Sequence, residues 1–221
     1  GMIAPNMATM LCFFTTDAAV TPEVLSGLLK AATKVSFNCM CVDNDMSTND
    51  TVLVLANGQS GVHLTPGTEN YGAFEEAFTR MCVAIAQALV RDGEGATKFV
   101  EIAVDGAPSD EAAFTIAKSI AQSQLCKTAF FGQDANWGRI ACAAGYAGVP
   151  FDQHRLNIWI ESLPVVADGT PTGFDEEQAA ALMRRRDLHV RVQLAEGEGK
   201  STFWTSDLSH EYVSINADYR S

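Results

Sequence analysis

The chain has 221 residues, 47% of them hydrophobic and 19% charged, with a formal net charge of −12. That supplies one large core or two smaller ones and leaves no long segment that reads as disordered. The acidic balance repels phosphate backbones and anionic lipid, so nucleic acid and membrane surfaces are not expected partners. No apolar run approaches the roughly 20 residues that span a bilayer.

In chain order, residues 9–14 read as a strand. Thr21 and Pro22 open a helix as N-cap and first helical residue, with Leu25, Leu28, Leu29 and Ala32 on its apolar face. "TVLVLAN" (51–57) predicts a buried strand. A second helix covers about 69–91, and "DGEG" (92–95) ends it before a strand at 97–106. A third helix runs over 109–123. "CKTAFFG" (126–132) predicts a strand, and "NWGRIACAAGYAG" a short helix rich in small residues. Beyond it come strands at 154–162 and 164–167, a helix near 175–185, strands at 187–195 and 200–206, and a last helix from about Ser209. The order argues for an α+β fold with largely antiparallel sheets and helices layered on them, not a doubly wound sheet.

Most familiar chemistry is missing. "GEGATK" lacks the spacing of a phosphate loop and precedes a strand, and neither H-E-x-x-H nor G-x-S-x-G occurs. The histidines (63, 154, 189 and 210) show no metal-ligand spacing, so no metal is expected. Cys12, Cys39, Cys41, Cys82, Cys126 and Cys142 form no C-x-x-C, and most lie in apolar runs. They are expected to be free thiols in a reducing, cytoplasmic setting. Arg184–Arg186 read as a solvated helix end.

"NMATML" places Thr9 at the head of an apolar run. Strand propensity explains it locally; the alternative is a nucleophile. Together, and in this order, "GMIAPNMATML", "NDTVLVLA", "DGEGATK", "GQDANWGRI" and "TSDLSHEYVSINADYRS" resemble the C-terminal half of the ornithine acetyltransferase / glutamate N-acetyltransferase family of arginine biosynthesis. Each stretch alone is weak, but the resemblance runs from Gly1 to Ser221. It implies a layered α/β/β/α sandwich related to the self-processing β-aminopeptidases. It also implies a longer precursor that cuts itself between Ala8 and Thr9. Residues 1–8 are then the tail of an α chain, and 9–221 a β chain.

The chemistry suits the residue. A threonine hydroxyl is a poor nucleophile until a base takes its proton, and in an N-terminal threonine the α-amine is that base. Such an amine titrates near ~7.7–8.0. The resemblance implies ping-pong transfer: Thr9 accepts acetyl from N2-acetyl-L-ornithine and passes it to L-glutamate. Some members take acetyl-CoA as donor, as a substrate; no cofactor is implied. Substrate binding is implied for Thr9, Glu94, Asn216 and Ser221, the last standing where many members have Thr. The family's oxyanion donors, a Thr-Gly pair, and a substrate-binding Lys belong to the α chain. This chain alone is therefore expected to be inactive and to assemble as α2β2.

Without the resemblance, Glu94 reads as a solvated loop carboxylate, and Asn216 and Ser221 as a frayed tail. Tyr212, Val213 and Ile215 argue instead for a docked terminus. Ser47, Thr48, Asn49 and Asp50 offer turn and capping hydrogen bonds and could line the site; Asp134 and Asn136 could cap a helix. Two rival readings remain. One is a self-processing amidase, whose nucleophile is typically Ser; the other is a small-molecule binding domain without covalent chemistry.

Overall fold

Strand β1 (Leu11–Thr16) alternates between interior and solvent: Cys12 and Phe14 are buried, while Leu11 and Phe13 are each 61% exposed. This computed structural model describes residues 2–3 and 10–218 of a chain that divides into two units, residues 1–89 and 90–221. Helix α1 (Pro22–Lys34) follows β1, with Thr21 capping it by accepting from Val24 N at 3.4 Å. After the two-residue strand β2 (Met40–Cys41) comes β3 (Thr51–Ala56), which pairs in parallel with β1, Leu11 opposite Thr51 and Thr16 opposite Ala56.

Helix α2 (Glu69–Arg91) covers one face of this pair. Phe78 meets Phe14 edge-on at 5.1 Å and stacks on Phe74 at 5.8 Å. A cavity of about 210 Å³ lies between them, lined by Phe14, Val54, Phe74 and Met81 among others. "TVLVLAN" is a strand, but it is not buried as expected. Leu53 and Leu55 are exposed on the face opposite the helix, beside Leu11 and Phe13.

The second unit is built on six strands: β4 (Phe99–Ala107), β5 (Asn157–Ile160), β6 (Leu163–Ala167), β7 (Thr170–Pro171), β8 (Asp187–Gln193) and β9 (Gly199–Ser206). Their order is β9-β4-β8-β5-β6-β7. Only β4–β8 is parallel; the other four pairings are antiparallel. The α+β class stands, and the antiparallel expectation fits this unit better than the first, where β1 and β3 pair in parallel. Val100, Ile102 and Val104 of β4 are buried. Helix α3 (Asp110–Gln122) packs on β4 and β9 through Ala113, Ile116, Ala117 and Ile120, at helical spacing. Gly106 has φ +71° where the β4–β9 register shifts, a conformation a side chain resists; its carbonyl accepts from Glu196 N and Gly197 N.

"CKTAFFG" is not a strand. Residues Gln124–Phe131 form helix α4, with Ser123 accepting from Cys126 N at 3.3 Å. The aromatic and β-branched residues suggested a strand, but the cap sets a helix, and Cys126, Lys127 and Phe130 fall on its buried side. Thr128 turns its hydroxyl back to Gln124 O at 2.9 Å. Helix α5 (Trp137–Gly145) is capped by Asn136, helix α6 (Glu176–Met183) by Asp175, and α7 (His210–Asp218) closes the described chain. Arg184–Arg186 lie past α6, exposed as expected. Ile102→Ala, opening a void in a fully buried position, is expected to cost about 2–5 kcal/mol by urea denaturation.

Candidate functional site

Glu94 lies in the turn that leads into β4, in the second unit. That turn is held from the other end of the sequence. Asp207, 4% exposed just after β9, accepts Thr97 N at 2.8 Å and Lys98 N at 2.9 Å on Oδ1, and the Thr97 hydroxyl on Oδ2. Two residues on, Ser209 Oγ donates to Gly95 O at 2.6 Å and accepts from Tyr212 N at 3.2 Å, so one hydroxyl caps α7 and pins the turn. Gly95 has φ +66°, and a Cβ there would fall 2.4 Å from Tyr212 N. No side chain fits where turn and helix meet.

The result is a pair. Asn216, one turn beyond Tyr212, donates from Nδ2 to Glu94 Oε2 at 3.0 Å and to Tyr212 O at 2.9 Å. Two of the expected substrate-binding residues therefore meet. The helix carrying Asn216 is less embedded than its sequence suggested: Val213 is 60% and Ile215 36% exposed, and α7 buries no residue. Beneath this region Lys127 of α4 is 2% exposed and donates from Nζ to Thr205 Oγ1 at 2.8 Å, Ser206 Oγ at 3.3 Å and Ser206 O. Burial pushes the Lys98 ammonium below its ordinary range, with Asp207 opposing the shift.

In the first unit Met10, the residue after Thr9, is fixed by "STND" and the residue that follows it. Met10 N donates to Asp50 Oδ1 at 2.8 Å, and Thr51 N to Met10 O at 2.8 Å. Asn49 N donates to Ser47 Oγ at 3.1 Å. Ala8, Thr9 and Ser221 lie outside the described residues, as does most of the 1–8 segment.

Most of the thiols lie in the interior. All are free and only Cys142 is exposed. Burial pushes Cys39 and Cys82 up to about 11, which keeps them protonated near neutrality. Among the described residues no cluster of His, Cys, Asp or Glu is placed to hold a metal, and no helix is long and apolar enough to cross a membrane.

Comparison with known proteins decides the kinship. The profile of the ArgJ family matches residues 1–221. The chain belongs to the ArgJ family. The arginine biosynthesis bifunctional protein ArgJ of Zymomonas mobilis is 48% identical over 224 residues, covering 100% of this chain and 55% of that protein. ArgJ of Chlorobaculum tepidum is 46% identical, covering 100% and 54%. A relative named mitochondrial, from Meyerozyma guilliermondii, is 48% identical over 100% and 54%. The crystal structure of ArgJ from Bacillus halodurans superposes with a TM-score of 0.92 at 44% identity, covering 96% of this chain and 100% of that one. The chain spans about half the length of the curated ArgJ relatives it matches.

Sequence reasoning singled out Glu94 and Asn216 and passed over Asp207 and Ser209, which hold the turn and the helix that carry them. The signal for Ser209 was there, a serine at the start of a helix; a carboxylate gripping amides 110 residues away leaves no local pattern. Gly95→Ala is expected to loosen α7, seen as faster hydrogen exchange in residues 212–218 with the β4 amides unchanged.

Proposed function

We propose that this chain is the nucleophile-bearing half of an ornithine acetyltransferase that moves acetyl from N2-acetyl-L-ornithine to L-glutamate. The observation that carries this reading is the meeting of Glu94 and Asn216, 122 residues apart in sequence and 3.0 Å apart in space. A carboxylate and a carboxamide side by side suit an amino acid: Glu94 takes an ammonium group, and Asn216 offers donor and acceptor to its other end. Membership of a family whose relatives are named for arginine biosynthesis supports the substrate class.

Thr9 is the nucleophile in this proposal. Its freed α-amine takes the hydroxyl proton, Oγ attacks the acetyl carbonyl, and ornithine leaves with the proton on its nitrogen. Glutamate's amine then attacks the acetyl-threonine ester. Ser221, with its hydroxyl, completes the substrate contacts. Acetyl-CoA is proposed as an additional donor, and a cytoplasmic location goes with the thiol content. Cleavage between Ala8 and Thr9 creates nucleophile and base together, giving α and β chains that assemble as α2β2.

Two observations support a partner half. The curated relatives are about twice as long as this chain, whereas the solved Bacillus halodurans chain is matched over its full length. The outer face of β1 and β3 carries exposed Leu11, Phe13, Leu53 and Leu55 on a two-stranded parallel sheet. Parallel sheets are ordinarily covered on both faces. The missing half of the same polypeptide is the proposed cover. The amidase reading is weaker because the nucleophile position is Thr; the binding-domain reading leaves the match across the junction unexplained.

With full-length protein and N-acetylornithine, acetyl transfer to glutamate is expected to outpace release of acetate; fast acetate release unaffected by glutamate contradicts the transferase reading. Thr9→Ala is expected to leave the precursor uncut and lower transfer on the order of 10⁴-fold or more. Glu94→Gln, removing a charge-assisted contact, should raise KM for N-acetylornithine about 10–100-fold with a smaller effect on kcat, read from initial rates.

A further inference from the structure

Two stretches of the first unit are matched at one fixed offset. Within the strands Leu11 lies opposite Thr51 and Thr16 opposite Ala56. The same separation of 40 residues holds ahead of the strands. Met10 N donates to Asp50 Oδ1 at 2.8 Å, and Ile3 N donates to Asp43 Oδ1 at 2.8 Å. Asp43 and Asp50 are thus equivalent latches, one before and one after residues 4–9.

The Asp43 latch is the more elaborate. Its Oδ2 also accepts Met2 N at 2.6 Å, so one carboxylate spans two consecutive amides. Met2 has φ +57°, and a left-handed residue is what lets successive N–H groups converge on one anion. A side chain resists that conformation, and the charge-assisted bonds to Asp43 offset its cost. The Ile3 carbonyl accepts in turn from Val42 N at 2.7 Å and from Asp43 N at 3.4 Å. Val42 is 3% exposed and directly follows β2, so this donor is anchored in the core. Asp45 N donates to Asp43 Oδ1 at 3.2 Å and steadies the carboxylate. These contacts read backbone: two successive amides and one carbonyl.

In a continuous chain this is an internal contact. In a chain cut as proposed above it is an interface. We propose that Asp43 and the Val42 amide form a docking site for the tail of the upstream chain, keeping Met2 and Ile3 bound to this polypeptide after the two are separated. The proposal rests on the self-cleavage in that reading, but the latch acts wherever between Ile3 and Met10 the cut falls, and none of its groups takes part in the chemistry. Its partner is a peptide segment that presents the Met2–Ile3 backbone. The segment is in place before the cut, so no encounter from solution is needed afterwards. Asp50 keeps the downstream end through Met10 in the same way, and both sides of the cut stay fastened to residues 42–51.

The test is hydrogen exchange at the Met2 and Ile3 amides of processed full-length protein, for wild type, Asp43→Ala and Asp45→Ala. Intact mass first establishes that the protein is cut. In cut wild type these amides are expected to exchange on the order of 100-fold or more slowly than in a synthetic peptide of residues 1–8. Asp43→Ala is expected to speed their exchange about 10–100-fold, with the β3 amides unchanged. Asp45→Ala, an exposed acid two residues on, is expected to match wild type. Exchange at the free-peptide rate in cut wild type would overturn the proposal, and so would equal protection in wild type and Asp43→Ala. If Asp43→Ala does not fold, Asp43→Asn, which keeps one acceptor oxygen, is judged in its place by the same comparison. Protein that stays uncut would refute the processing, and the proposal with it; protein that is cut but unprotected would refute the latch alone.

Discussion

The Asp207 carboxylate is the tie on which the second unit's site depends. It stands at the end of β9 and takes the amides of Thr97 and Lys98 at the mouth of β4, together with the Thr97 hydroxyl. Such bonds to a nearly buried carboxylate are the strong kind, and removing the acceptor strands the buried Lys98 amide. Because β9 and β4 are neighbours, the same contact fixes where the Glu94 turn begins. Ser209, two residues later, fixes where α7 begins. Glu94 and Asn216 meet because both are measured from one carboxylate. Lys127 secures the layer below by holding Thr205 and Ser206.

Much of the fold was legible locally. Caps and periodicity locate helices reliably when a side chain can end them, as Thr21, Ser109 and Asp175 do. The failure at "CKTAFFG" is instructive. A short run of aromatic and β-branched residues carries no periodic signal strong enough to separate strand from helix. What settles it is Ser123, which ends α3 and starts α4 at a single residue. "TVLVLAN" fails differently: its strand is real, but hydrophobicity alone does not say which of its faces is covered.

The site divides along the same line. Glu94 and Asn216 came from resemblance; nothing in a turn glutamate or a C-terminal asparagine distinguishes them from solvated surface. Their contact is a product of tertiary structure. Asp50 was visible only as part of a turn-forming "STND". Its hold on the Met10 amide is a tertiary contact that a sequence does not record. The pattern recurs in both units: an amide just before a strand gripped by an aspartate from far along the chain.

The account as a whole rests on Thr9 becoming acetylated. Full-length protein incubated with N-acetylornithine in the absence of glutamate, quenched in acid and digested, reports this directly by mass spectrometry. The account predicts one acetyl group on the peptide that begins with Thr9, carried as an ester that hydroxylamine removes, and lost when glutamate is added before quenching. An acetyl group on another residue, or none on Thr9 while transfer proceeds, would contradict it.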